Sequence, residues 1–299
     1  MRIALIILAS LAAIILALGY ALSVFSTSIK RQSLDEARAW QAEHYDISWY
    51  DRIEKTDYTV KSGDGYVLHA QFLKNPAAEG GRYVLLTHGY TDNRFGSLKY
   101  VQCYFRLGFN AVIYDLRGHG LNEKTFCSYT VRESGDLEAM ISDTLARYPD
   151  CALLGLHGES LGASTTAAVM KDRPKVAFAV ADCGFAEIAP VMKNGLRGMH
   201  IPTALLYVAW PWTKLRLGYG YGAMRPIEAL RDNEIPMLFI HGGADDFTFP
   251  WHSEAMSQAT KGPGELFIVP GAGHAGSVLT DPEGYYERVE GFLKKNGLI

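Results

Sequence analysis

The sequence predicts an α/β fold, with a mostly parallel, eight-stranded sheet flanked by helices. Two observations carry this prediction. Two β-rich runs, 57–61 and 66–73, are joined by residues 62–65, whose Ser-Gly-Asp-Gly sequence is typical of an antiparallel hairpin turn. From residue 83 onward, short apolar runs alternate with helical segments, which is typical of parallel strands joined by crossover helices.

The other strands are expected where Val, Ile, Leu, Ala and Phe cluster, as in strands buried on both faces. These runs are 83–87, 110–114, 151–156, 176–181, 236–240 and 265–269. Helices are expected between several of them. The segment 131–147 carries apolar residues at helical spacing, and 163–170 follows a glycine-flanked serine.

Residues from about 187 to 231 break this alternation, because they contain no clear strand. We interpret this segment as a helical cap inserted over the carboxyl ends of the strands. It is rich in aromatic residues, and we expect Tyr207, Trp210 and Trp212 to bind substrate as walls of an apolar pocket. Packing in the core and contact with a bilayer surface are the alternatives for these aromatic residues.

The amino-terminal segment differs in character, since residues 3–25 carry no charge. As a helix they would span roughly 30 Å, the thickness of a bilayer core. We therefore predict that 1–29 form a single-pass membrane anchor, with a cleaved signal peptide as the alternative. Arg2 precedes the segment and Lys30 and Arg31 follow it. Positive charges therefore flank both ends, and their distribution does not indicate which side faces the cytoplasm. The very short flank before the helix favours a main domain outside the cytoplasm.

Composition narrows the function classes further. A polar, helical linker is expected over 30–55 and the main domain over 56–299, long enough for a sizeable core. The net charge of -3 offers no broad basic surface, so nucleic acid is not an expected partner.

Cys151 and Cys183 are expected at opposite ends of neighbouring strands, too far apart for a disulfide. No Cys-x-x-Cys pair indicates a metal or redox site.

The pentapeptide 158–162, Gly-Glu-Ser-Leu-Gly, directly follows a predicted strand and precedes a predicted helix. Glycines on both sides let the chain turn sharply, so that Ser160 stands clear of the sheet with a strained backbone. At the start of a helix, this serine would also lie where negative charge is stabilised. The pattern predicts that Ser160 is a nucleophile.

A serine nucleophile needs a base and an orienting acid, and both follow in the chain. His274 lies in the glycine-rich loop after the last predicted strand, and Asp245 follows the strand before it. We expect His274 to take the Ser160 proton and Asp245 to fix the tautomer of His274. Asp246 is the alternative acid, and His241 is expected to pack or bond locally.

Two backbone amides are candidates for stabilising a developing oxyanion. Leu161 directly follows the serine. Tyr90 follows the predicted strand 83–87 and a His-Gly pair, so its amide can point toward the same strand edge. We expect these amides to form an oxyanion hole.

Together these motifs resemble the α/β-hydrolase superfamily, from about residue 56 to the carboxyl terminus. The resemblance rests on His-Gly-Tyr at 88–90, Asp-Leu-Arg-Gly-His-Gly at 115–120, the Ser160 pentapeptide, His-Gly-Gly-Ala-Asp at 241–245, and Gly-His at 273–274. It implies that Asp115 and Arg117 organise a loop. With the predicted anchor and Pro-Ile-Glu-Ala-Leu at 226–230, the chain is similar to membrane-anchored bacterial hydrolases near the prolyl-oligopeptidase-like branch. One departure is the distance from Asp245 to Pro250, one residue longer than usual, which bears on the choice of acid.

We therefore expect a membrane-anchored serine hydrolase that cleaves a carboxylic ester through an acyl-serine intermediate, without metal or cofactor. A peptidase or amidase with the same catalytic residues is the first alternative. A non-catalytic binding scaffold is the remote one. The expected substrate is a small ester or short peptide with an apolar group.

Overall fold

The computed structural model describes residues 1–78 and 80–299. Eight strands form one sheet. They are β1 (Lys55–Lys61), β2 (Val67–Leu73), β3 (Arg82–Thr87), β4 (Asn110–Tyr114), β5 (Leu153–Glu159), β6 (Phe178–Asp182), β7 (Met237–Gly242) and β8 (Gly264–Val269).

Their spatial order is β1-β2-β4-β3-β5-β6-β7-β8. β2 runs antiparallel to both β1 and β4, and all other neighbouring strands are parallel. The predicted mostly parallel, eight-stranded sheet is therefore confirmed, and the order and directions are those of the α/β-hydrolase fold.

Helices cover both faces of the sheet, as they must when strands are buried on both sides. Those of the described chain are α1 (Arg2–Thr27), α2 (Leu34–His44), α3 (Leu98–Arg106), α4 (Glu133–Arg147), α5 (Leu161–Val169), α6 (Ile188–Gly198), α7 (Leu205–Leu217), α8 (Trp251–Ala259), α9 (Ser277–Thr280) and α10 (Pro282–Lys295). Apolar side chains of α4 and α5 pack on one face of the sheet, and those of α3 and α10 pack on the other. Two core layers thus hold the strand ends in fixed positions.

The strand that leads into the serine lies further along the chain than predicted. β5 begins at Leu153 rather than at 151 and continues to Glu159, and α5 begins at Leu161. Pairing with β6 extends through Glu159, which aligns with Asp182. Gly155 in β5 allows close packing, because a Cβ there would lie 2.0 Å from the Phe178 ring. Only Ser160 separates strand from helix.

The segment between β6 and β7 contains α6, α7 and two short 3-10 helices, Tyr221–Ala223 and Pro226–Leu230.

In the region predicted as a linker, α2 begins with a capping box between Ser33 and Glu36. All four cysteines are free thiols.

The helix α1 packs against α7 through its second half. Gly19, Ser23 and Thr27 are buried, whereas the preceding residues are exposed. Within the described ranges, α1 is the helix that is long and apolar enough to cross a membrane, a property that signal sequences share.

Candidate active site

Ser160 occupies a sharp turn between β5 and α5. Its backbone has φ 51° and ψ -110°, a conformation that costs a non-glycine residue energy and is common at functional sites. The flanking glycines permit close approach. A Cβ on Gly158 would lie 2.2 Å from the carbonyl oxygen of Gly162, and one on Gly162 would lie 2.0 Å from that of Thr87. The turn therefore requires glycine at both positions and holds Ser160 rigidly.

The structure brings His274 to Ser160. The Ser160 Oγ lies 2.9 Å from Nε2 of His274, whose Nδ1 lies 2.7 Å from Oδ2 of Asp245. Because a carboxylate only accepts hydrogen bonds, the neutral imidazole donates from Nδ1, which leaves Nε2 free to accept the serine proton. The three side chains thus have the geometry of a nucleophile, a base and an orienting acid.

The Asp245 carboxylate is buried and fully engaged. Its Oδ1 accepts hydrogen bonds from the amides of Phe247 (3.0 Å) and Thr248 (2.9 Å), and its Oδ2 contacts His274 and, at 3.2 Å, His241. Burial alone would raise the pKa of Asp245, but the hydrogen bonds with the two histidines outweigh it and hold that pKa well below its usual value. The carboxylate is therefore charged at neutral pH.

The competing carboxylate, Asp246, is exposed, and its backbone carbonyl accepts a hydrogen bond from Asn194. The nearby His241 bonds locally, as the sequence indicates. Its Nε2 donates to the carbonyl of Thr248 at 2.6 Å, and its Nδ1 lies 2.7 Å from the hydroxyl of Ser253. The geometry thus pairs Asp245, not Asp246, with the candidate base.

The two candidate oxyanion amides belong to residues that line the same cavity as Ser160. Leu161 is the first residue of α5, so its N–H has no partner within the helix. Tyr90 follows β3, and its hydroxyl donates a hydrogen bond to the carbonyl of Ser28. The side chain of Tyr90 is thereby tied to the end of α1.

A buried charged cluster lies beneath Ser160. Glu159 forms an ion pair with Lys99 and accepts a hydrogen bond from Tyr100 at 2.6 Å. Burial would lower the pKa of Lys99, but Glu159 outweighs it and raises that pKa. Burial and the charge of Glu159 raise the pKa of the neighbouring Asp182 to about 6. The ion pair between Glu159 and Lys99 thus stabilises the turn that carries Ser160.

We expect Lys99→Met to lower the free energy of unfolding by about 3–5 kcal/mol, because it leaves Glu159 buried without its cation. Lys74→Met is the matched control, since the Lys74–Glu54 pair is exposed on both sides and contributes about 1 kcal/mol or less. Urea denaturation measures both variants. Equal losses in the two would contradict a structural role for the cluster.

The Asp-Leu-Arg-Gly-His-Gly segment organises a loop, as the resemblance implies. Asp115 is buried and pairs with Arg94 at 2.9 Å, and Arg117 pairs with buried Asp136 at 2.6 Å. His88 accepts a hydrogen bond from the amide of Leu116 at 2.9 Å, which links this loop to the end of β3. These contacts fix the loop that carries Tyr90.

A mostly apolar cavity of about 490 Å³ opens above Ser160. Its lining includes residues of α6 and the chain after it, and residues at the end of α1. Its apolar lining side chains are Leu22, Phe25, Ile29, Tyr90, Tyr129, Leu161, Phe185, Ile188, Val191, Met192, Leu196, Met199, Leu206 and Phe247. In the part of the chain that the structure describes, no group of three or more His, Cys, Asp and Glu residues could hold a metal ion.

The aromatic residues expected to bind substrate do not line this cavity. Trp210 packs against Tyr221, and Trp212 packs edge-on against Tyr20 of α1. Tyr207 is exposed and accepts a hydrogen bond from Lys193. The structure thus does not bring Tyr207, Trp210 and Trp212 to the cavity: the two tryptophans of α7 pack against neighbouring aromatic rings, Tyr207 faces solvent, and most of the apolar lining between β6 and β7 belongs to α6.

The contribution of α1 to the cavity is the feature that the sequence reasoning missed. A signal was present: Gly19, Ser23 and Thr27 recur every four residues in an otherwise apolar helix. Small residues at this spacing form one face that lets another helix approach closely. A Cβ on Gly19 would lie 2.7 Å from Cγ1 of Val208 in α7, which shows how close that approach is.

The fold and the Ser160 site define a hydrolase of the α/β class. Residues 84–288 match the model of the Alpha/beta hydrolase family, and the chain belongs to that family.

Two related bacterial proteins match most of the chain. The chain is 29% identical to "Uncharacterized protein YqkD" of Bacillus subtilis (strain 168), over 97% of this chain and 96% of that protein. It is 25% identical to "Uncharacterized protein YfhR" of Escherichia coli (strain K12), over 80% of both chains.

Among solved structures, the Pyrococcus furiosus esterase Pf2001 is similar in fold, with a TM-score of 0.71 and 20% identity, over 90% of this chain and 98% of that chain. The acylaminoacyl peptidase of Pyrococcus horikoshii is also similar, with a TM-score of 0.62 and 16% identity, over 84% of this chain and 43% of that chain. Esterases and peptidases thus share the fold.

Proposed function

We propose that this protein is a serine hydrolase that cleaves carboxylic esters through an acyl-serine intermediate. The observation that carries the proposal is the hydrogen-bonded series from Ser160 through His274 to Asp245, located at the base of an apolar cavity. The two distances, 2.9 Å and 2.7 Å, suit the hydrogen bonds that these roles require.

In the first half of the reaction, Ser160 Oγ attacks the ester carbonyl carbon while His274 Nε2 takes the serine proton. The tetrahedral intermediate collapses, the alcohol leaves with the proton from His274, and the acyl group stays on Ser160. In the second half, His274 takes a proton from water, and the resulting hydroxide attacks the acyl carbon. Ser160 regains its proton and the carboxylic acid leaves.

The amides of Tyr90 and Leu161 are proposed to donate to the oxyanion in both halves. One such donor typically contributes about 2.7–4 kcal/mol of transition-state stabilisation. The strained conformation of Ser160 supports this role, because it places the nucleophile beside the first free N–H of α5.

The cavity lining favours an ester over a peptide. A peptide brings several backbone N–H and C=O groups that need hydrogen-bond partners when they are buried. Among the described residues that line the cavity, Lys30 is the charged one, and no carboxylate is available to bind a peptide amino terminus. An apolar acyl group needs no such partners.

A substrate panel tests the proposed function. We expect p-nitrophenyl esters to be hydrolysed and the p-nitroanilides of amino acids and short peptides to be left intact. Cleavage of the anilides without cleavage of the esters would instead support the peptidase alternative.

We also propose that α1 is a retained membrane anchor. Its buried residues Ser23 and Thr27 belong to a packed contact with α7, and removing the helix would expose that face of α7. Resistance of the full-length protein to alkaline carbonate extraction from membranes would support retention, and release into the supernatant would contradict it. The extracytoplasmic orientation of the main domain stays a prediction.

A further inference from the structure

The end of the candidate membrane helix forms part of the site. Leu22 and Phe25 of α1, and Ile29 just after it, line the cavity that contains Ser160. Val191 and Met192 of α6 line the same cavity. The helix therefore provides a wall of the cavity in addition to any anchoring role.

This wall is held firmly against the cap. Ser23 Oγ lies 2.9 Å from the hydroxyl of Thr213 in α7, and Arg216 donates to Ser23 at 3.0 Å. Ser26 Oγ lies 2.9 Å from the hydroxyl of Tyr221. Polar contacts of this kind fix the rotation of α1, so that the same side chains always face the cavity.

The length of α1 places the cavity at the membrane surface. A bilayer core of about 30 Å takes about 20 helical residues, so a perpendicular helix that enters it at Arg2 leaves it near Leu22. Leu22 is also the first residue of α1 that lines the cavity. Residues 2–18, which precede the contact with α7, are exposed along their whole length.

Three large apolar side chains at the rim of the cavity are exposed, beside the charged side chain of Lys30. Phe25, Met199 and Phe247 line the cavity and yet are 61%, 46% and 47% exposed. Exposed apolar residues grouped around an opening are typical of surfaces that contact another apolar phase. Here that opening adjoins a helix whose exposed part is itself apolar.

We propose that the substrate is a long-chain fatty acyl ester held in the membrane that α1 enters, and that its acyl chain passes from the leaflet into the cavity between α1 and α6. This inference rests on the proposed function, because it names the substrate class of the same site. The reaction is that described above: the acyl group moves to Ser160 with release of the alcohol, and water then releases the fatty acid.

The test uses full-length protein in lipid vesicles and two substrates. One is p-nitrophenyl palmitate incorporated in the bilayer, and the other is p-nitrophenyl acetate in solution. Leu22→Trp fills the cavity beside α1, and Leu18→Trp is the matched control, one helical turn earlier and outside the cavity lining.

We expect Leu22→Trp to lower kcat/KM for the palmitate ester at least about tenfold more than it lowers kcat/KM for the acetate ester, because the long acyl chain loses its binding site whereas the acetyl group needs little of the cavity. Leu18→Trp should change neither by more than about twofold. Equal losses in the two variants on the palmitate ester would overturn the inference.

Two further measurements keep the outcome clear. Phe25→Asp alters an exposed residue of the rim, and it should likewise lower kcat/KM for the palmitate ester more than that for the acetate ester, with thermal denaturation to verify folding. Palmitate ester placed in separate, protein-free vesicles should be hydrolysed at least about tenfold more slowly than ester in the same bilayer. Equal rates would show that the acyl ester reaches the site through water and would overturn the proposal that it enters from the membrane.

If the unaltered protein hydrolyses neither ester and does not react with an alkyl fluorophosphonate, the proposed function itself fails.

Discussion

Replacing Ser160 with alanine is expected to lower kcat for ester hydrolysis by about 10⁴-fold or more. The alanine variant keeps the oxyanion amides and the cavity but has no nucleophile within reach of His274. Substrate binding should change little, since the substitution removes one hydroxyl and leaves the apolar lining of the cavity intact. The rate of p-nitrophenyl ester hydrolysis and the reaction with a fluorophosphonate probe both measure the loss.

Ser164→Ala is the matched control for this experiment. Ser164 lies one helical turn further along α5, and its Oγ bonds the backbone of Phe185 instead of a histidine. Its replacement should affect stability but leave fluorophosphonate labelling intact. Labelling that persists in Ser160→Ala would place the nucleophile elsewhere. A folded protein that is not labelled at all would favour the non-catalytic scaffold.

The placement of Ser160, Asp245 and His274 was predictable because each follows the carboxyl end of a strand. Parallel strands bring their carboxyl ends to one edge of the sheet, so three residues far apart in the chain meet there. The glycines near these three residues indicate sharp turns directly after the strands, which fixes where each side chain lies. Local sequence therefore carries most of the information needed for this part of the site.

The cavity walls were less predictable, because they depend on how helices pack. α7 is apolar on most of its surface, so its sequence does not reveal which face meets a neighbour. Trp210 and Trp212 could equally have faced the cavity, and their actual partners, Tyr221 and Tyr20, become apparent only in the packed structure.

The buried cation beneath Ser160 was unpredictable for a related reason. Lys99 is 60 residues away from Glu159 in the chain and would be expected at the surface. Its burial depends on the way α3 packs beside β5. By contrast, the docking face of α1 had a readable pattern in Gly19, Ser23 and Thr27, which the overall apolar character of the helix concealed.

Asp245→Asn is expected to lower kcat by about 10⁴-fold, whereas Asp246→Asn should stay within about twofold of the unaltered protein. An amide in place of the Asp245 carboxylate no longer stabilises the charged imidazole and can turn its NH₂ toward His274, which favours the wrong tautomer. Asp246 is exposed and does not contact His274, so the same change there serves as an adjacent control. Steady-state hydrolysis of a p-nitrophenyl ester, with thermal denaturation to verify folding, measures both.

The pH dependence of the two variants sharpens this test. Because the pKa of Asp245 lies well below its usual value, its carboxylate remains charged at neutral and mildly acidic pH. The large difference between Asp245→Asn and the unaltered protein should therefore persist from about pH 5 to pH 8 instead of appearing only on one side of neutrality. Loss of activity in Asp246→Asn with activity retained in Asp245→Asn would reverse the assignment of the acid, and the longer spacing from Asp245 to Pro250 would then mark a real shift of the acid by one residue.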